Sequence, residues 1–261
     1  MTSQVRAGVA GANGYAGMTV VHLLARHPNV RLEQLSSRSL AGQPLAGTFP
    51  LLGVEGEFRS EIDPAGLDVI FSCLPHNVGA SKAGAWLEAG ARVVDMSADF
   101  RLKDASQYPT WYRQDHPAPD LLRKAVFGLP ELHEQQLKRA ELIAVPGCYS
   151  TASILAMAPA VSAGLVGSDV IIDAKSGVSG AGRSPGIGVH FSEVNESLGA
   201  YAIGGHRHLP EVTQELGALG HNGLRVTFVP HLVPMTRGIL ATCYFDLKGS
   251  VDELRGAYAE F

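Results

Sequence analysis

Gly8-Val9-Ala10-Gly11-Ala12-Asn13-Gly14-Tyr15-Ala16-Gly17 joins an apolar run to a helical pattern through closely spaced glycines. The apolar run Val5 to Ala10 leading into it reads as a strand. Ala16 to His27 after it reads as a helix, stopped by His27-Pro28-Asn29. A parallel α/β domain places a dinucleotide phosphate at such a turn. Glycines let the backbone turn sharply and come close to a pyrophosphate, and the helix N-terminus offers free N–H donors. Gly11, Asn13, Gly14, Tyr15 and Gly17 are the candidate contacts. The motif alone is a weak signal, and a plain tight strand-to-helix turn stays open.

Arg31 to Ser36 reads as a second strand ending in Ser36-Ser37-Arg38. An NAD site wants a carboxylate there for the ribose 2′-hydroxyl. Ser37 and Arg38 instead suit a 2′-phosphate, which favours NADP(H); a solvated loop arginine is the alternative. Further strands are expected at Leu67 to Leu74, Val93 to Met96 and Leu142 to Val145, and a helix at Ser81 to Ala89 closing on Gly90. Lys103 to Arg123 reads as an irregular insertion. Near residue 147 the character changes. Tyr149 to Ala163 reads as a helix and Val170 to Ala174 as a strand, followed by a Gly/Ser loop from Ser176 to Gly188. Leu224 to Val233 and Gly238 to Leu247 read as long strands of alternating exposure, which suggests an antiparallel sheet. Val251, Leu254, Tyr258 and Phe261 share one face of a closing helix, expected to pack on those strands. The expected architecture is α/β: a Rossmann-type parallel-sheet domain over residues 1–147, then an α+β catalytic and dimerisation domain over residues 148–261.

The chain has 261 residues, 46% of them hydrophobic and 18% charged, and a net charge of −4. That composition excludes a disordered chain and argues against nucleic acid as a partner. No apolar run reaches the roughly 18 residues of a membrane span. Met1 to Ala7 lack the basic-then-apolar pattern of a secretory leader. Cysteines at 73, 148 and 243 make no disulfide framework and no C-x-x-C, so no metal site is expected and the cytoplasm is the expected compartment.

Cys148 follows Val145-Pro146-Gly147 and immediately precedes a helix. A thiolate is stabilised at such an N-terminus, so Cys148 is the candidate nucleophile. Cys73 and Cys243 sit in apolar strands and read as core residues. Gly204-Gly205-His206-Arg207-His208-Leu209-Pro210-Glu211 reads as an exposed turn entering a helix at Pro210. One of its histidines can move a proton for a thiol; a surface pair or a metal site are the alternatives. Ser176-Gly177-Val178-Ser179-Gly180-Ala181-Gly182-Arg183 reads as an anion-friendly loop. Asp99-Phe100-Arg101 and Pro234-Met235-Thr236-Arg237-Gly238 add arginines. Each alone reads as a structural ion-pair member; together they suggest a substrate with several negative charges.

Gly11 to Gly17, Ser37-Arg38, Leu74-Pro75-His76, Ser97-Ala98-Asp99-Phe100-Arg101, Gly128-Leu129-Pro130-Glu131, Pro146-Gly147-Cys148-Tyr149-Ser150-Thr151, Ser176 to Arg183 and Gly205 to Glu211 resemble in order the N-acetyl-γ-glutamyl-phosphate reductases of arginine biosynthesis. The resemblance runs over essentially the whole chain. Lysine-pathway reductases are similar too, but have Asn after the cysteine and lack the intact Ser-Gly loop. Aspartate-semialdehyde dehydrogenases share the chemistry but not the surrounding motifs. The resemblance implies NADPH-dependent reduction of an acyl phosphate to an aldehyde through a cysteine thioacyl intermediate. It implies Cys148 as nucleophile and His206 as acid/base. It adds Leu74, Pro75, Ser176 and Gly177 to the cofactor contacts, and gives Arg101, Ser179, Arg183 and Arg207 to a small-molecule acyl phosphate. A homodimer or homotetramer is implied, as is a further segment beyond Phe261 that returns to the nucleotide-binding domain, so the sequence is expected to be truncated. The same chemistry on another acyl phosphate, or a non-catalytic NADP-binding module, are the rival readings.

Overall fold

A computed structural model describes residues 4–220 and 223–261. Met1 to Ser3, where the leader reading and the first domain begin, lie outside the described residues. The chain divides into two compact units, one reaching to Ser106 and resuming over Asp115–Pro146, the other formed by Gln107–Gln114 and Gly147–Phe261.

The first unit is built on a six-stranded sheet. In chain order its elements are β1 (Val5–Ala10), α1 (Tyr15–Leu24), β2 (Val30–Ser36), α2 (Leu45–Thr48), β3 (Val69–Ser72), α3 (Ala80–Glu88) and β4 (Arg92–Asp95). The helix α4 (Tyr108–Tyr112) follows in the chain but belongs to the second unit. Then come α5 (Pro119–Leu122), β5 (Val126–Phe127), α6 (Pro130–Leu137) and β6 (Leu142–Ala144). The strand order is β2-β1-β3-β4-β6-β5, and every pairing is parallel. Ala7, Val9 and Ala10 of the first strand are almost fully buried, as a parallel strand covered on both faces requires. Val9, Val20, Val21, Leu35, Phe49 and Phe58 share one core cluster. The sheet reverses its winding between β1 and β3, and a doubly wound sheet binds its ligand at the carboxyl ends of such strands. The expected irregular insertion holds two short helices, each opened by a proline in its first turn, the position where a missing N–H costs nothing.

The second unit carries α7 (Cys148–Ser162), β7 (Val166–Gly177), α8 (Phe191–Val194), β8 (Gly199–Ala200), α9 (Leu209–Ala218), β9 (Arg225–Val233), β10 (Ile239–Leu247) and α10 (Val251–Glu260). Its sheet runs β10-β7-β9-β8. The expected antiparallel sheet is corrected here. β9 and β10 do not pair with each other; β7 lies between them, parallel to β9 and antiparallel to β10. Alternating exposure shows that one face is wet but leaves strand direction open. The expected start of the loop is corrected too. Ser176 and Gly177 end β7, because that central strand finds ladder partners on both sides, Ser176 opposite Ile239 and Leu232. Helix α7 packs against β10, β7 and α9. Helix α10 starts with a complete capping box between Ser250 and Glu253. It leans on α7, where the Tyr258 hydroxyl donates to the Ala156 carbonyl, rather than chiefly on the strands as expected. Among the described residues no helix is long and apolar enough to cross a membrane.

Candidate active site

The glycine turn of the first unit is bare backbone by necessity. Gly11 has φ +76°, and a Cβ there would lie 2.5 Å from the Cys73 carbonyl oxygen. A Cβ on Gly17 would lie 2.2 Å from the Gly11 oxygen. Gly14 caps the ten-residue α1 without a side-chain hydrogen bond, and the first N–H groups of any helix lack intrahelical partners. Beside this turn the Asn13 amide donates to Ser39 Oγ at 3.1 Å, and Ser39 Oγ lies 3.3 Å from Ser37 Oγ. Arg38 is exposed, 3.7 Å from Glu61, whose carboxylate also meets Lys82 at 3.0 Å. Lys82 first, then Arg38, hold the Glu61 carboxyl below its ordinary range. The first-turn N–H groups of α1, the hydroxyls and an exposed guanidinium form a donor set that fits dinucleotide phosphates, while the N–H groups of Gly11 and Ala12 are taken by the Ser36 carbonyl. Ser39 and Glu61 were missed by the sequence reading. Ser39 lies two residues past Ser37, but Glu61 carries no local signal at all.

Leu74 and Pro75 open the loop after β3. Asp99, fully buried, anchors that loop by accepting from the amides of Asn77 (2.9 Å) and Ala80 (3.1 Å) and by contact with the His76 ring. These bonds hold the Asp99 carboxyl below its ordinary range against the opposing effect of burial. Arg101 is also buried, and its guanidinium donates to the carbonyls of Val145 (2.8 Å) and Met96 (2.9 Å). The Ser97 to Arg101 motif therefore braces backbone in the first unit.

The second unit contains a cavity of about 1,100 Å³, whose walls include Cys148, Ser176, Tyr201, His206 and Arg207. Cys148 is exposed and is the first residue of α7, with Gly147 as its N-cap. By contrast, burial pushes the Cys73 thiol up to about 12 and raises that of Cys243. The expected turn is exposed at Gly204, Gly205 and Arg207, but its two histidines, His206 and His208, are buried. Aromatic rings enclose His206, with centroids of Tyr149 at 5.5 Å, Tyr201 at 5.6 Å, Phe228 at 5.4 Å and His208 at 4.7 Å. Burial first, then the Arg207 charge, lowers the His206 pKa from 6.5 to about 4. The backbone N–H of His208 donates to His206 Nδ1 at 3.1 Å. A backbone amide can only donate, so the neutral ring carries its proton on Nε2. Tyr201 donates to the Tyr149 hydroxyl at 3.3 Å, which donates to the His231 carbonyl at 2.8 Å. Burial is the main cause raising both phenols.

Ser176 thus joins Cys148, His206 and Arg207 at the cavity. Gly177 lies against the Thr236–Arg237 backbone, where a Cβ would meet the Arg237 nitrogen at 2.8 Å. From the Ser-Gly stretch, Gly180, Ala181 and Ser184 contribute to the walls. Ser179 and Arg183 are not among those residues; the Ser179 amide instead donates to the Thr236 carbonyl at 3.0 Å. The sequence reading missed Thr110, Trp111 and Arg113, which line the cavity from around α4. The Trp-Tyr pair was its only signal, inside a stretch read as irregular. Among the described residues no group of three His, Cys, Asp or Glu is placed to hold a metal.

Residues 6–140 match the family model for the semialdehyde dehydrogenase NAD binding domain, and residues 148–261 that for the semialdehyde dehydrogenase dimerisation domain. The N-acetyl-gamma-glutamyl-phosphate reductase of Symbiobacterium thermophilum is 49% identical, over 98% of this chain and 76% of that protein. Among solved structures, aspartate semialdehyde dehydrogenase II of Vibrio cholerae, complexed with ASA, superposes with a TM-score of 0.73 at 16% identity, over 98% of this chain and 79% of that one. The Candida albicans enzyme, solved with NADP, gives 0.71 at 18% identity, over 99% and 77%. At these identities the two structures support the fold alone.

Proposed function

Because the chain belongs to the semialdehyde dehydrogenase family, among relatives that are N-acetyl-γ-glutamyl-phosphate reductases, we propose that it reduces N-acetyl-γ-glutamyl phosphate to N-acetylglutamate 5-semialdehyde, releasing phosphate, in arginine biosynthesis. One observation carries the mechanism: the exposed Cys148 opens α7 at the wall of a cavity that also holds His206.

Cys148 attacks as thiolate, favoured by the free N–H groups and dipole of its helix. The sulfur–carbon bond forms at the γ-carbonyl, and phosphate leaves with the electrons of the broken carbon–oxygen bond, giving a thioester. When bound, the reduced nicotinamide supplies the hydride that takes this thioester to the aldehyde level. The Nε2–H of His206 donates to the oxygen of the covalent adduct, and Cys148 leaves again as thiolate. Taking the thiol proton on Nε2 requires the ring first to move its own proton to Nδ1 and give up the His208 amide. Arg207 at the cavity wall faces the phosphate or carboxylate of the substrate.

The glycine turn of residues 11–17, with Asn13, Tyr15, Ser37 and Arg38, would hold the cofactor, and Leu74 and Pro75 would flank it. β2 ends in Ser36 rather than in a carboxylate, and the exposed Arg38, whose 3.7 Å pairing with Glu61 leaves it at the surface, supports NADP(H) over NAD(H). Arg183 and Ser179 stay as candidates for the substrate's anionic groups. Ile171, Leu240 and Tyr244 are exposed on one face of the second sheet, where Tyr244 stands opposite Ile171. That apolar face suits a second copy of the chain, in keeping with the dimerisation-domain match. The cytoplasm suits an enzyme that works through a reduced thiol.

The deciding experiment compares wild type with Cys148→Ser. The variant loses turnover while binding NADPH as before, since a serine hydroxyl is barely ionised near neutral pH. Wild type incubated with the acyl phosphate, without cofactor, carries an acyl adduct on Cys148 by intact mass and peptide mapping. An adduct on another cysteine, or equal turnover with NADH, overturns the corresponding part of the reading.

A further inference from the structure

Glu211 is fully buried, and the chemistry above gives it nothing to do. It stands in the first turn of α9, where a helix dipole favours a carboxylate. Its Oε2 accepts from the Gly147 amide at 2.9 Å, across 64 residues of sequence. Gly147 is the N-cap of α7, has no side chain of its own to cap with, and is followed directly by Cys148. The other oxygen of Glu211 lies 3.9 Å from His208 Nε2. The His208 ring in turn covers Gly147 so closely that a Cβ there would sit 2.3 Å from Nε2. The next contacts along are the His208 amide on His206 Nδ1 and the 4.7 Å ring pair.

A single buried carboxylate therefore touches both halves of the site: the peptide that launches the thiol-bearing helix, and the ring that packs on the proton-handling imidazole. We propose that Glu211 is a positioning residue that sets Cys148 and His206 relative to each other through the reach of its carboxylate. This rests on Cys148 being the nucleophile. A buried amide that loses its acceptor must find another or stay unsatisfied, and either outcome moves the N-cap and the residue after it. The cavity side of the site needs no change in composition for its geometry to be lost.

Two conservative variants of the full chain separate reach from charge. Glu211→Gln keeps the length and one acceptor oxygen but drops the charge. Glu211→Asp keeps the charge but withdraws the oxygens by one methylene. Each is assayed for kcat and KM with NADPH and the acyl phosphate, and for the rate at which iodoacetamide alkylates Cys148 at fixed pH. The alkylation reads the thiol without turnover, so it decides the matter even if the reductase reading itself fails. The Asp variant is expected to lose about tenfold or more in kcat with KM within about threefold, because small misplacements of a reacting group are costly. Its Cys148 alkylation slows in parallel, while the Gln variant stays within about threefold of wild type in every rate. An Asp variant with wild-type rates, or a Gln variant that falls as far as the Asp variant, overturns the proposal. If the Asp variant does not fold, the Gln alkylation rate still decides: retention supports reach, and a tenfold loss overturns it.

Discussion

At His206 the sequence indicated the residue but not its state. Two histidines after a glycine pair read as solvent-facing; the structure encloses the first in rings and lowers its pKa to about 4. The consequence for stability has a definite sign. In the unfolded chain this histidine takes a proton below its ordinary 6.5, whereas folded it does so only near 4. Its contribution is therefore complete above 6.5 and is lost as the pH falls toward 4. The wild-type melting temperature should decline through that window, and that of His206→Asn should decline less. Identical slopes would show that the ring is not held neutral. The same substitution should lower turnover by about a hundredfold without removing any acid limb centred near 6.5, since His206 does not titrate there. Cys148 was legible because Pro-Gly before a helix is a local signal. Glu211 was not, because its meaning lies in a contact 64 residues away. For Arg101 the residue type suggested an anion, and the structure adds a bracing role that its type did not announce, with Nε on the Val145 carbonyl and Nη2 on that of Met96.

Among the elements, the first strand was readable to the residue and the helix start to within one, while the helix ends at Leu24, three residues before the expected His27; Gly11 and Gly17 between them are imposed by close backbone approach. Gly17→Ala tests this directly. A Cβ there meets the Gly11 oxygen at 2.2 Å, and neither atom belongs to a side chain that can swing away. The substitution should cost about 1–3 kcal/mol and weaken NADPH binding, as measured by thermal melt and fluorescence titration. A variant that melts and binds like wild type would refute the close approach. The elements that sequence blurred are the short ones. Helix α4 has five residues and β5 two, too few for any period to emerge, and their boundaries depend on packing rather than on propensity.

For the molecule as a whole, the alternation in β9 and β10 correctly announced one exposed sheet face, but strand direction is set by connections that no periodicity encodes. On that face Ile171, Leu240 and Tyr244 are exposed together, with Tyr244 opposite Ile171, an apolar grouping of the kind a contact surface uses. Tyr244→Asp should weaken self-association by about tenfold or more, as loss of a central aromatic contact does. Sedimentation at graded concentrations measures it, and an unchanged association constant would move the contact elsewhere. The chain's division carries a different kind of consequence. Residues 107–114 precede the last strands of the first unit yet belong with the second, and Trp111 and Arg113 wall the cavity from there. A chimaera of two related chains spliced at residue 147 would inherit the candidate nucleophile Cys148 from one parent and part of the cavity wall from the other. Its preference among acyl phosphates would then descend from both, and exchanging the carboxyl-terminal half alone would not transplant specificity.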